Sequence, residues 1–162
     1  MNATEEKIIE IEQLLPKLAI ARANGQRIVF TNGCFDLMHL GHVTYLEAAR
    51  NQGDLLVIGL NTDASVSRLK GPQRPIISEQ ARARVMAALE VVSYVVLFDE
   101  DTPLNLIRSV KPDILVKGAD YQVSEIVGAD FVMASGGKVE RIPFVEGYST
   151  SSLIERIQNL GA

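Results

Sequence analysis

The chain has 162 residues, 47% hydrophobic and 22% charged, with a net charge of −4 and a pI near 5.2. One domain is expected at this length, large enough to bury roughly 68–70% of its unfolded surface without covalent staples. The acidic balance excludes a general nucleic-acid surface, the single cysteine, Cys34, excludes an intramolecular disulfide, and no apolar run approaches the roughly 18 residues of a membrane span.

Residues 4 to 23 read as an amphipathic helix, with Ile8, Ile11, Leu14, Leu15 and Leu18 at helical spacing, Thr4 as its cap and Pro16 as a kink or split. Asn24-Gly25 ends it. Ile28 to Thr31 reads as a first strand and Val43 to Asn51 as a helix. Leu55 to Leu60 is a continuous apolar run, the pattern of a strand buried on both faces. Thr62-Asp63 caps a short helix containing Val66 and Leu69, and Ser78 caps a helix to Leu89. Tyr94 to Phe98 is a third strand, followed by a helix over Thr102 to Val110 with Pro103 at its first position. Asp113 to Val116 is a fourth strand. A helix is expected over Val123 to Ala134 despite Gly128, then a weaker fifth strand, Lys138 to Ile142, and a last helix from Ser149 to Asn159. This alternation predicts an α/β domain: a five-stranded, mainly parallel sheet with right-handed crossovers and helices on both faces. Residues 1–25 form an N-terminal helical segment on a core of 26–162, with Gly71 to Pro75 as the mobile loop.

Both histidines of the chain fall within His39-Leu40-Gly41-His42, just after the first strand and the turn Thr31-Asn32-Gly33-Cys34-Phe35-Asp36. Open parallel sheets bind ligands at their strand carboxyl ends. The other strand ends add Asn61 and Asp63, then Lys117, Asp120 and Tyr121, while Lys70, Arg74 and Arg82 surround the mobile loop. Gly147-Tyr148-Ser149-Thr150-Ser151-Ser152 opens the last helix with hydroxyl residues, whose free N–H groups and dipole favour anions. This set is rich in donors and cations, lacks a nucleophile–base–acid constellation, and suits phosphate binding. Blander readings stand beside it. The hydroxyls serve as ordinary caps, the histidines as capping or core residues, and one of Arg82 and Arg84 as a solvated charge. A histidine pair at i, i+3 also suits a metal, but no third ligand is evident. A lone Cys34 at a strand end is a small buried residue rather than a nucleophile.

His39-Leu40-Gly41-His42 and the late Gly147 to Ser152 stretch resemble the two signature motifs of the HxGH nucleotidyltransferase superfamily. Thr31 to Asp36, Lys70-Gly71-Pro72, Arg74-Pro75, Asp99-Glu100-Asp101-Thr102-Pro103 and Lys117-Gly118-Ala119-Asp120-Tyr121 resemble the adenylyltransferase domain of heptose-1-phosphate adenylyltransferases. Gly-Ala-Asp stands for the commoner Gly-Gly-Asp, and Gly-Tyr-Ser-Thr-Ser for a commoner Cys-Ser-Thr-Thr. The likeness covers roughly residues 10 to 160 and implies a single Rossmann-like nucleotidyltransferase domain, in a stand-alone form of what some relatives fuse to a sugar kinase.

The resemblance implies transfer of an adenylyl group from ATP to D-glycero-D-manno-heptose 1-phosphate, giving ADP-heptose for the inner core of lipopolysaccharide, with Mg²⁺ carried mainly by phosphates and water. It implies catalysis by His39, His42, Lys70 and Arg82. Nucleotide contacts are expected from Thr31, Asn32, Gly33, Cys34, Phe35, Gly41, Lys117, Gly147, Ser149, Thr150 and Ser151. Sugar-phosphate contacts are expected from Asp36, Asn61, Asp63, Arg74, Asp120 and Tyr121. Partners are small molecules, not nucleic acid or membrane; a homodimer and a cytoplasmic location are expected. The rivals are a cytidylyltransferase for an alcohol phosphate and a non-catalytic nucleotide-binding module. A dinucleotide oxidoreductase fails because no Gly-x-Gly-x-x-Gly follows the first strand.

Overall fold

In the computed structural model, which describes residues 3–161, five strands form one parallel sheet: β1 (Ile28–Gly33), β2 (Leu55–Asn61), β3 (Tyr94–Phe98), β4 (Ile114–Gly118) and β5 (Lys138–Ile142), in the order β3-β2-β1-β4-β5. The chain winds outward from β1 to β3, then crosses back to lay β4 on the other side of β1. The order therefore reverses between β1 and β4, where neighbouring connections leave the sheet in opposite directions and open a crevice at the carboxyl ends.

Side-chain alternation along the strands divides the interior into two apolar layers. Val29, Leu56, Ile58, Leu60, Val95, Ile114 and Val116 face α2 (Leu40–Arg50) and α4 (Glu79–Ala88) through Leu46, Ala49, Met86 and Ala87. Ile28, Phe30, Val57, Val96 and Leu115 face α1 (Ile11–Ala23), α5 (Leu104–Val110) and α6 (Ala129–Ala134) through Leu14, Leu18, Ile107 and Val132. The remaining helices, α3 (Asp63–Lys70) and α7 (Thr150–Asn159), lie at the carboxyl end. Thr62, Ser78 and Ser149 cap α3, α4 and α7, each accepting from the N–H three residues on.

Several expectations change. The N-terminal helix begins at Ile11, not Thr4: Glu5–Lys7 is a 3₁₀ turn, and the Ile9 N–H is spent on the Val95 carbonyl (3.0 Å) at the β3 edge. Thr4 caps nothing and instead accepts from Arg84 Nη1 (3.1 Å). The helix continues through Pro16. The stretch 123–134 is not one helix, because Gly128 takes φ +85° and splits it into a 3₁₀ turn, Val123–Glu125, and α6. Pro103 sits at the cap position of α5 rather than inside it. None of the described helices is long and apolar enough to cross a membrane.

Candidate functional site

The crevice between β1 and β4 is a cavity of about 680 Å³. Its floor is the exit of β1, Asn32 to Asp36. The start of α2 supplies His39, Gly41 and His42; α3 and its loop supply Lys70 and Arg74; and β4 supplies Lys117, with Tyr121 beyond it. Ser149, Thr150 and Ser151 bring the α7 N-terminus to the same space.

The histidines are set by backbone. His39 is the N-cap of α2, with extended φ −146° and ψ 171°, and its carbonyl accepts from the His42 N–H (3.0 Å), so the two rings fold onto one side of the first turn. They stack at 3.8 Å with planes 21° apart, and Phe35 meets His42 edge-on at 5.4 Å. Gly41 makes the stack fit: a Cβ there would lie 3.0 Å from the His39 ring and 3.3 Å from Tyr148 Cβ. Burial pushes His39 below its usual value. It pushes His42 down to about 4, helped by His39 and opposed by the Leu37 carbonyl. At neutral pH both rings are uncharged, so they are hydrogen-bonding groups rather than cations. The Nδ1 atoms of both, and Oδ1 of Asn32, are buried without a protein partner. Three orphaned polar atoms in one cavity are costly unless a ligand completes them.

Arg82 does not reach this space. It is 1% exposed and four of its five N–H donors are spent: Nε on the Ile77 carbonyl (2.9 Å), Nη1 on those of Cys34 (2.7 Å) and Asn61 (2.8 Å), and Nη2 on Asp63 Oδ1 (2.7 Å). It ties the ends of β1 and β2 to α4, which corrects its expected role as a phosphate ligand. Asp63, which holds it, lies outside the cavity lining.

Asp36 lines the cavity but is occupied by protein partners. Its oxygens accept from the N–H groups of Ile76 (2.8 Å) and Ile77 (2.8 Å) and from Arg74 Nε (2.7 Å), leaving little to offer a sugar hydroxyl. Burial raises its pKa, but the two amides and Arg74 outweigh burial and hold it below the usual carboxylate range. The result pins the 71–77 loop over the cavity. Arg74 stays in the lining, bonded to Asp36 through Nε alone.

Asn61 lines the cavity, yet its Nδ2 donates to Ser65 Oγ (3.0 Å). Thr31 is buried beneath the lining, bonded to the Tyr45 hydroxyl (2.8 Å), and burial pushes that phenol up to about 12. Asp120 and Gly147 are exposed and outside the lining. The Cys34 thiol is pushed up by burial, against the pull of Lys70, Arg82 and Arg74, which leaves it protonated and a poor nucleophile.

The aromatic wall was missed from sequence. Phe144 stacks on Tyr45 at 6.3 Å, and a Cβ on Gly118 would lie 2.2 Å from the Phe144 ring. Tyr148 stacks on His39 at 6.4 Å. Phe144 and Tyr148 bracket the turn between β5 and α7; two aromatics in a polar turn just ahead of a hydroxyl-rich helix start were the available signal.

A reversed parallel sheet whose crevice gathers uncharged histidines, loop cations and a helix N-terminus suits the phosphates of a nucleotide. The chain belongs to the cytidylyltransferase-like family, whose model matches residues 30–156. It is 57% identical over 154 residues to the bifunctional protein HldE of Trichlorobacter lovleyi, covering 95% of this chain and 31% of that protein. It is 56% identical over 158 residues to HldE of Pseudomonas fluorescens, covering 98% of this chain and 33% of that protein. The chain thus spans about a third of the length of these relatives. Among solved structures, the lipopolysaccharide core biosynthesis protein from Thermoplasma volcanium superposes with a TM-score of 0.62 at 31% identity, over 77% of this chain and all (100%) of that one. Pantoate-beta-alanine ligase from Francisella tularensis, complexed with beta-gamma ATP and beta-alanine, shares the fold at TM-score 0.60 and 17% identity, over 84% of this chain and 66% of that one.

Proposed function

We propose that the chain transfers the adenylyl group of ATP to D-glycero-D-manno-heptose 1-phosphate, releasing pyrophosphate and forming ADP-heptose in the cytoplasm for lipopolysaccharide inner-core synthesis. The observation that carries this reading is the stacked, uncharged His39–His42 pair, with its orphaned Nδ1 atoms in a cavity edged by Lys70, Arg74 and the α7 N-terminus. HldE relatives at 53–58% identity and the Thermoplasma likeness point to the sugar and the pathway.

An acceptor phosphate monoester has a second pKa near 6 and is largely dianionic at neutral pH. One of its oxygens attacks the α-phosphorus in line, pyrophosphate departs, and no general base is required. Rate enhancement then comes from alignment and from donors aimed at the growing negative charge. His39 and His42 each supply one N–H to the phosphoryl oxygens. Ser149, Thr150 and Ser151 present the N–H groups of α7 to the departing pyrophosphate, and Lys70 and Arg74 neutralise charge from the loop. Gly41 and Gly33 allow close backbone approach. Arg82 and Asp36 act indirectly, by holding these elements. Mg²⁺ would be held mainly by the nucleotide's phosphates and water.

Because the family model is described as cytidylyltransferase-like, CTP is the competing donor. Pyrophosphate release is measured with heptose 1-phosphate and either nucleotide. Release with ATP and not CTP is expected; release with CTP alone overturns the donor, and nucleotide binding without release overturns the catalytic reading.

A further inference from the structure

Lys117 stands at the carboxyl end of β4, at the step where strand order reverses against β1, and lines the cavity beside the exit of β1. Lys70 is exposed, and Arg74 is already tied to Asp36. Lys117 forms no ion pair among the described residues; its ammonium makes one long contact, 3.4 Å, to the Asn32 carbonyl. An ammonium has three N–H donors, so two remain unspent, in the cavity that also holds the orphaned Asn32 Oδ1 and histidine Nδ1 atoms. A largely buried cation without a counter-anion is costly. A ligand's anion offsets that cost.

We propose that Lys117 binds a phosphate oxyanion of the reacting substrates directly, and that the site takes up a proton as this anion binds. The inference deepens the transferase reading, on which it rests for the identity of the ligand. The shared chemistry is a phosphate dianion, from either the nucleotide or the sugar 1-phosphate.

Burial holds the Lys117 ammonium down to about 8 from the usual lysine value, while the nearby Cys34 and Asp120 pull it back up. The other titratable groups on the surrounding elements are His42 and Tyr45 of α2, Tyr121 beyond β4 and Arg141 of β5, paired in register with Lys117. At pH 8 His42 and Tyr45 are already uncharged, and the Arg141 guanidinium is engaged by the Tyr121 carbonyl. Phosphate monoesters are fully ionised there. Lys117 is therefore the group whose charge a bound dianion changes, and a fraction of a proton per site is taken up at pH 8.

The test is calorimetric titration of the folded protein at pH 8 in two buffers of different ionisation enthalpy, with ATP in one arm and mannose 1-phosphate, a sugar 1-phosphate probe, in the other. The expected result is buffer-dependent heat for at least one ligand, absent in Lys117→Met, with affinity for that ligand at least tenfold weaker. Lys117→Arg, which keeps its charge at all these pH values, binds without proton uptake. Relief of a buried, unpaired charge also raises the thermal midpoint of ligand-free Lys117→Met at pH 7, whereas loss of a purely structural lysine lowers it. Proton uptake undiminished in Lys117→Met, or affinity for both ligands unchanged, overturns the proposal. Failure of the transferase reading looks different: proton-coupled binding persists with no pyrophosphate released from any acceptor.

Discussion

Arg82→Lys separates a cation that binds substrate from one that holds the protein together. The guanidinium serves four acceptors in different directions, three of them backbone carbonyls at the site's base. A lysine keeps the charge but converges its three donors on one atom and cannot span the four acceptors, so Asp63 and two of the three carbonyls lose their partner. Asp63 is 41% exposed and recovers its loss from water. The carbonyls, that of Asn61 buried and those of Ile77 and Cys34 part-buried, recover less, and at about 1.5 kcal/mol each two of them cost about 3 kcal/mol. In a chain of this size that is roughly 6–12 °C in Tm. Urea unfolding followed by circular dichroism gives the free energy, and steady-state kinetics give KM for ATP. A destabilised variant with KM for ATP near that of the parent is expected below its transition. A variant as stable as the parent but unable to bind ATP would refute the reasoning, because it would mean that Arg82 spends its charge on phosphate.

His42→Ala removes the donor proposed to face the reacting phosphate and should lower kcat on the order of 10²–10³ while leaving the circular dichroism spectrum intact; a fully active variant sinks the proposed role. The same histidine makes the fold acid-sensitive. Its folded pKa, about 4, lies below the unfolded value near 6.5, so the unfolded chain takes up the proton first and stability falls as pH drops from 6.5 toward 4. Urea midpoints at pH 7 and pH 5 should differ, and His42→Ala should shrink that difference; an equal slope in both proteins contradicts the burial of the ring. Asp36→Asn exchanges a carboxylate held by Arg74 and two amides for a neutral group. A loss of roughly 2 kcal/mol, with faster proteolysis within 71–77, is expected, and an unchanged cleavage rate would show that the loop is held by something else.

The strands were legible because β2 carries an unbroken apolar run, Leu55 to Leu60, and β1 opens on a shorter one, Ile28 to Phe30, which is the pattern of strands covered on both faces. The histidine motif was legible because two rare residues bracket a glycine at a strand exit. What escaped depends on partners distant in sequence. Nothing near Arg82 announces that the carbonyls of Cys34 and Asn61 end beside it, and nothing near Asp36 announces amides 40 and 41 residues away. A charge in a loop or on a helix face next to a site reads as a ligand until its contacts are known. The N-terminal helix failed for a related reason. Ile8 keeps helical spacing with Ile11 and Leu15, but the β3 edge offers Ile8 a bridge and the Ile9 N–H a carbonyl that a helix there would leave unpaired.

The two apolar layers make the molecule separable. The histidine-bearing α2 and the Arg82-bearing α4 pack on one face of the sheet, and α1, α5 and α6 pack on the other. Only the strand backbones are common to both. Leu14, Leu18, Ile107 and Val132 can therefore be repacked to raise or lower stability while the catalytic floor keeps its shape, whereas the same exercise at Leu46, Ala49 or Met86 shifts the helices that aim the imidazoles. An engineer seeking a hardier enzyme has one face to work on, and a natural lineage accumulating neutral changes has the same one.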